Sequence, residues 1–382
     1  MPRTPPPRLY LDWNAGAPTS LAARRAVLAA LEAGGNASSV HAEGRASRAI
    51  VERCRAKLAL RFGVAPDAVT FTSGGTEANT TVLSPGVTGR GGRGVERLVV
   101  GATEHPSVVA GGRFIGRDVT LVGADGAGRL DLAAYDEVLA RDARPALISV
   151  MAANNETGVI QSLGAVQARS REAERGDDVL HTDAVQAFGR LPERDILGDV
   201  VTISGHKIGA PAGVGAIIRR GDVAVPALVR GGGQERGARG GTENVAAIAG
   251  LDAALDEPAA DPSAWAETSA ARDEFEADLL DAFANATIFG YDAPRLPNTS
   301  LFALGVPAEV ALIGLDLAGF AVSSGAACSS GKVGPSHVLA AMGVAPELAR
   351  CAIRVSVGPT GAREALRRFL MALRQVIVPM ST

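Results

Sequence analysis

Of the thirty-eight basic residues in this 382-residue chain, only Lys57, Lys207 and Lys332 are lysines. An arginine guanidinium stays protonated and forms no imine, so amine chemistry has only these three side chains to draw on. Lys207 follows the β-like run 199–203 in Ser204-Gly205-His206-Lys207. An amine at the end of a core strand is desolvated, which lowers its pKa and makes it a better nucleophile. Lys57, within Val51-Glu52-Arg53-Cys54-Arg55-Ala56-Lys57-Leu58, reads as the solvated face of an amphipathic helix. Lys332 falls in a Gly/Ser-rich loop.

Four other strand-like runs end in polar groups. Thr72-Ser73-Gly74-Gly75-Thr76-Glu77-Ala78-Asn79 leads into a helix-like stretch. Its glycines let backbone approach an anion that the free N–H groups of a helix start can hold. The spacing is not that of a Walker loop. The others end in Thr103-Glu104-His105-Pro106, in Asn154-Asn155-Glu156 and in His181-Thr182-Asp183-Ala184-Val185-Gln186. Taken singly, each also fits a turn, a cap or a packing residue. A carboxylate closing a buried strand needs a cationic partner, and Gln186 is near enough to Asp183 to share its ligand. In doubly wound sheets ligands bind at the carboxyl ends of the strands. Pyridoxal phosphate requires this whole set: a lysine for its aldehyde, an acid for its pyridinium nitrogen, a flat group over the ring and an anion site.

A second centre is Ser323-Ser324-Gly325-Ala326-Ala327-Cys328-Ser329-Ser330-Gly331. Free cysteines are usually buried, which is the reading for Cys54 and Cys351. Cys328, among small residues in a loop, reads instead as an exposed thiol able to act as a nucleophile. Arg354, in the β-like Ile353-Arg354-Val355-Ser356, suits either a bidentate clamp on a substrate carboxylate or a structural salt bridge.

To bring these groups together the chain needs a sheet with aligned strand ends. Strands are expected near 68–72, 97–101, 118–122, 146–150, 179–182 and 199–203, with helices over 45–62, 76–84, 131–142 and 162–174. This alternation predicts an α/β fold with a mainly parallel sheet flanked by helices. Beyond the break at 257–263 follow helices at 263–285, 307–318 and from 361, which read as a smaller α+β domain. The formal charge of −3 removes the electrostatic argument for nucleic acid or an anionic membrane. Three scattered cysteines exclude a disulfide framework or a Cys-x-x-Cys metal pair. No stretch reads as a secretion signal or a membrane span, so a cytoplasmic protein without a metal is expected.

The residues resemble those of the cysteine desulfurases, pyridoxal-phosphate enzymes of aminotransferase class V, and in particular the NifS-like branch. The shared segments include YLDWNAGAP (10–18), GGNASSVHAEG (34–44), FTSGGTEAN (71–79), TEHPSV (103–108), MAANNETGVIQ (151–161) and HTDAVQAFGR (181–190). They continue in SGHKIGAP (204–211), GGGQERGARGGTENVAAIAG (231–250), SSGAACSSGKVGPSHVLAAMG (323–343) and IRVSVGPT (353–360). The resemblance implies fold type I of the pyridoxal-phosphate transferases. Residues 1–18 would be an arm joining the small domain, 19–257 the large cofactor-binding domain, and 258–382 the small domain with the cysteine loop.

It also implies roles. Lys207 would carry the cofactor and move protons at Cα. His105 would stack on the ring, Asp183 would hold the ring nitrogen protonated, and Gln186 would bond the ring hydroxyl. Gly75, Thr76, Ser204 and His206 would bind the phosphate, with Thr242 reaching across from a partner subunit of a homodimer. Asn155 and Arg354, helped by Asn36, would hold the carboxylate of L-cysteine. Cys328 would take the sulfur, leave alanine, and pass the persulfide to an acceptor or iron-sulfur scaffold protein. A selenocysteine lyase, or another class V lyase or aminotransferase, is the neighbouring alternative. Three positions depart from the family pattern: Trp13, the lysine-free turn Gly209-Ala210-Pro211-Ala212-Gly213, and Pro359.

Overall fold

The structure is a computed structural model and describes residues 8–114, 116–172, 176–325 and 336–377. After β1 (Leu9–Tyr10) come two helices, α1 (Leu21–Ala33) and α2 (Ala42–Phe62). Strands and helices then alternate through β2 (Val69–Thr72), α3 (Gly75–Val82), β3 (Arg97–Gly101), α4 (Pro106–Val109), β4 (Val119–Val122) and α5 (Leu132–Arg141). The series continues with β5 (Ala146–Ser149), α6 (Leu163–Arg169), β6 (Val179–Asp183), β7 (Val200–Ser204) and β8 (Gly215–Arg219), and closes with α7 (Val245–Ala254). These strands make one sheet in the order β2-β8-β7-β6-β5-β3-β4. The pairings among β4, β3, β5, β6 and β7 are parallel, whereas β8 runs antiparallel to both β7 and β2. β5, β6 and β7 are buried along their whole length, as strands covered on both faces must be.

The remaining elements are α8 (Ala266–Ala282), β9 (Thr287–Ile288), β10 (Thr299–Ala303), α9 (Ala308–Leu317), β11 (Phe320–Ala321), α10 (His337–Ala341), α11 (Pro346–Ala349), β12 (Ala352–Ser356) and α12 (Ala362–Ile377). An antiparallel sheet β12-β10-β9 forms here. α12 buries Leu366, Phe369, Leu370, Leu373 and Ile377, a stripe at helical spacing. With Phe275 and Phe302 that stripe builds a second apolar core. β1 pairs in parallel with β11, so the N-terminal strand belongs to this C-terminal half in space.

The six expected strands are present, each shifted by a residue or less at its ends. The expected helices differ more. α2 starts at Ala42, capped by the His41 ring, and α8 starts only after a 3-10 turn over Pro262–Trp265. α1, α7 and β8 were not expected. α7 is apolar nearly all round and α1 exposes Leu21, Leu28 and Leu31, so neither shows a clean polar face. Lys57 is corrected: its Nζ donates to the Asp252 carbonyl at 3.1 Å and to Asp256 Oδ2 at 2.7 Å, fastening α2 to α7 rather than sitting free in solvent. Cys54 and Cys351 are buried, as expected.

Trp13 has a structural explanation. Its ring packs against Gly358, where any side chain would collide with it, and meets Trp265 edge-on at 6.3 Å. The bulk added at one position is accommodated by its absence at the other.

His181 sits wholly buried in β6 between the hydroxyls of Ser149 (2.8 Å) and Thr202 (3.1 Å). Burial pushes its pKa down to about 3. The unfolded chain takes up this proton near pH 6.5 and the folded chain does not until about pH 3, so the stability linked to His181 is complete above 6.5 and lost as pH falls. Denaturant melts of the wild type and His181→Gln between pH 7 and pH 4 should therefore diverge. The variant's stability should decline less steeply, by up to about 1.4 kcal/mol per pH unit.

Candidate active site

The carboxyl ends of β2, β3, β5, β6 and β7 converge on a cavity of about 290 Å³. Lys207 enters it from a 3-10 turn that β7 runs into directly, and is only 8% exposed. Its Nζ donates to the carbonyls of Asn14 and, at 2.9 Å, Ala15. Both belong to the segment after β1. Asp183, the last residue of β6, is 5% exposed. Its Oδ2 accepts from Asn79 Nδ2 at 2.7 Å and its Oδ1 from the Val185 N–H at 2.9 Å. Asn79 is held in turn by Thr202, whose hydroxyl donates to its Oδ1 at 2.6 Å. Among the described residues no basic side chain pairs with Asp183. A buried carboxylate supported only by neutral donors fits a ligand that brings its own positive charge, as a protonated pyridine nitrogen does.

The opposite end of the cavity suits an anion. Gly75 opens α3, and a Cβ built there would fall 2.8 Å from Val185 Cγ2, so only glycine lets the helix start sit this close to β6 and β7. Among the described residues no side chain caps this helix, which leaves its first-turn N–H groups to a ligand. Thr76, Ser204 and His206 line the same end. His206 Nδ1 lies 2.8 Å from Ser204 Oγ, and burial, with the charges of Lys207 and Arg190, pushes the ring down to about 4.

His105 caps α4. Its Nδ1 accepts the Ser107 N–H at 3.2 Å, so the neutral ring carries its proton on Nε2. Burial first, then the charges of Lys207 and His337, lower its pKa against the opposing pull of Asp183, keeping it neutral at pH 7. Gln186 Nε2 donates to the Asn14 carbonyl at 3.0 Å, and its Oε1 accepts from Arg190 Nη1 at 2.9 Å.

Asn155 lines the cavity while its carbonyl accepts from Arg354 Nη1 at 2.8 Å. Arg354 stands behind it, 2% exposed, with Nη2 donating to Asp12 at 2.6 Å. Of the two uses weighed for Arg354, the salt bridge is the one formed here. Its Nε has no hydrogen-bond partner among the described residues.

Besides Arg354, the expected residues Asn36 and Thr242 do not line the cavity. Asn36 is exposed and accepts from the Ser38 N–H at 2.8 Å. Thr242 lines a separate cavity of about 150 Å³ with Thr72 and Arg239. Cys328 lies outside the described residues. The residues flanking its stretch, Gly325 and Ser336, both adjoin Glu156: Ser336 donates to Glu156 Oε2 at 2.6 Å, and a Cβ on Gly325 would lie 3.3 Å from that oxygen. Asn14, Asn79, Ser107 and Met151 line the cavity without having been singled out. All four lie in segments already marked: Asn14 in YLDWNAGAP, Asn79 one helical turn past Gly75 in FTSGGTEAN, Ser107 in TEHPSV and Met151 in MAANNETGVIQ.

The class V aminotransferase family profile matches residues 9–369. The chain is 40% identical over 364 residues to a cysteine desulfurase of Gluconacetobacter diazotrophicus, covering 91% of this chain and 88% of that one. It is 39% identical to a cysteine desulfurase of Cereibacter sphaeroides, covering 97% and 96%. Among solved structures, the NifS-like protein of Rickettsia africae superposes with a TM-score of 0.85 at 30% identity, over 97% of this chain and 99% of that one. The profile spans nearly the whole of the described chain, all three sheets included, and the chain belongs to the class V aminotransferase family.

Proposed function

We propose that the chain is a pyridoxal-phosphate-dependent cysteine desulfurase, converting L-cysteine to L-alanine and leaving the sulfur on Cys328 as a persulfide. The observation that carries this reading is that one cavity gathers Lys207, His105, the start of α3 and a buried Asp183 with which no cation pairs among the described residues. The similarity to proteins named cysteine desulfurase supports the choice of substrate.

Bound in the cavity, pyridoxal phosphate supplies an electron sink for the pair released when Cα loses its proton. Lys207 would hold the cofactor covalently and move the proton at Cα. Asp183, oriented by Asn79, would keep a proton on the ring nitrogen. Gly75, Thr76, Ser204 and His206 would take the phosphate. His105, a neutral ring with its proton on Nε2 and its Nδ1 lone pair taken by the Ser107 N–H, would stack on the cofactor ring. Asn155 binds the substrate carboxylate, and Arg354 acts through it unless the Asp12 pair opens. The Cys328 thiolate takes the sulfur atom, so cysteine and the enzyme thiol become alanine and an enzyme persulfide, with atoms and electrons balanced. An acceptor or iron-sulfur scaffold protein receives that sulfur.

The same reading divides the chain into an arm (1–18), a large cofactor-binding domain (19–257) and a small domain (258–382), supported by the β1–β11 pairing. It includes a homodimer in which Thr242 serves the partner's cavity, in keeping with its absence from the lining of its own. A cytoplasmic setting agrees with the described helices, none of which is long and apolar enough to cross a membrane.

Incubation with L-cysteine and a thiol reductant should give alanine and sulfide in equal amounts; alanine without sulfide, or neither, refutes the reading. Cys328→Ala should release no sulfide while keeping the yellow cofactor. Lys207→Ala should lose borohydride-fixed cofactor on the peptide containing residue 207, and its turnover should fall by about 10²–10⁴-fold.

A further inference from the structure

We propose that Arg190 is a positioning residue that locks the Gln186 amide with its Nε2 as a donor into the cavity, and so sets the protonation of the cofactor held at Lys207. The inference rests on the pyridoxal-phosphate reading above. Arg190 is 3% exposed, and its Nη1 donates both to the Gln186 carbonyl at 2.6 Å and to Gln186 Oε1 at 2.9 Å. A guanidinium only donates, so the amide atom facing it must be the oxygen. At the other edge of the amide the Asn14 carbonyl only accepts, so the atom facing it, 3.0 Å away, must be the nitrogen. The two contacts fix the same orientation independently. A flipped amide would set N–H against N–H and oxygen against oxygen.

Nε2 carries two protons and the Asn14 carbonyl takes one. The other is left for a ligand in the cavity that Gln186 lines. A donor aimed at a ring hydroxyl oxygen stabilises its deprotonated, anionic form.

The remainder of Arg190 points the same way. Its Nε and Nη2 have no hydrogen-bond partner among the described residues. Its guanidinium lies 5.5 Å from the Trp265 ring centre. Burial and the charge of Arg354 push its pKa down to about 9. A buried cation without a carboxylate costs stability, and an apolar side chain of the same size would fill the space at less cost. What that apolar side chain could not do is hold the Gln186 oxygen.

The test is a pH titration of the visible absorption band of the cofactor-loaded protein, for the wild type, Arg190→Met, Gln186→Leu and the double variant. Arg190→Met should raise the midpoint by about one pH unit, because the donor to the anionic oxygen is no longer held in place. Gln186→Leu should raise it as far, and the double variant no further than the larger single shift. An unchanged midpoint in Arg190→Met, or shifts that add in full, overturns the proposal. Should Arg190→Met not fold, Arg190→Gln is read in its place, since its amide can accept as well as donate and so releases the lock; the same rise is expected. A wild type with no visible band overturns the cofactor reading instead, which separates the two failures.

Discussion

A carboxylate buried at the end of β6, with which no cation pairs among the described residues, is the constraint on which the site depends. Desolvating an ionised aspartate is expensive, and neutral donors from Asn79 and the Val185 backbone recover only part of the cost. The surrounding residues make sense as support for that charge. Thr202 on β7 orients Asn79, Asn79 orients Asp183, and the parallel register of β6 and β7 puts Thr202 beside Asp183. The sheet thus serves as a ruler that delivers one polar group from each strand end to one place.

The second dependence is on Asn14. Its carbonyl accepts from both Lys207 and Gln186, its amide donates to the Asn155 carbonyl and to Thr299, and its N–H donates to Ser356. A single residue from the N-terminal segment therefore ties the large sheet to the small one across the cavity. The Arg354–Asp12 pair repeats the tie a few residues away. The Lys207 amine and the Asn155 backbone are consequently tied to the same residue, Asn14.

Much of this was legible in the sequence because strand ends announce themselves. A β-branched run followed by Thr-Asp or Ser-x-His-Lys marks both a strand and what it presents. Hence Lys207, Asp183, His105, Gln186 and Gly75 could be named, and the structure places them around one cavity. Asn14 could not, because its role rests on a backbone carbonyl and on a chain path that pairs β1 with β11, neither of which has a local pattern. Arg354 was half legible. Its burial in a β-like run was clear, but whether it faces substrate or Asp12 depends on a contact 342 residues away. β8 was missed because five residues flanked by glycines carry too little periodicity, although its antiparallel insertion is what closes the sheet between β7 and β2.

The indole of Trp13 resting on the bare backbone of Gly358 joins two positions distant in the chain. Neither can drift by itself. An alanine at 358 evicts the ring, and a small residue at 13 opens a hole beside Trp265. A chimaera that borrows its first twenty residues from a relative with a small side chain there would inherit that hole, and the borrowed segment would need its own matching C-terminal half to sit correctly.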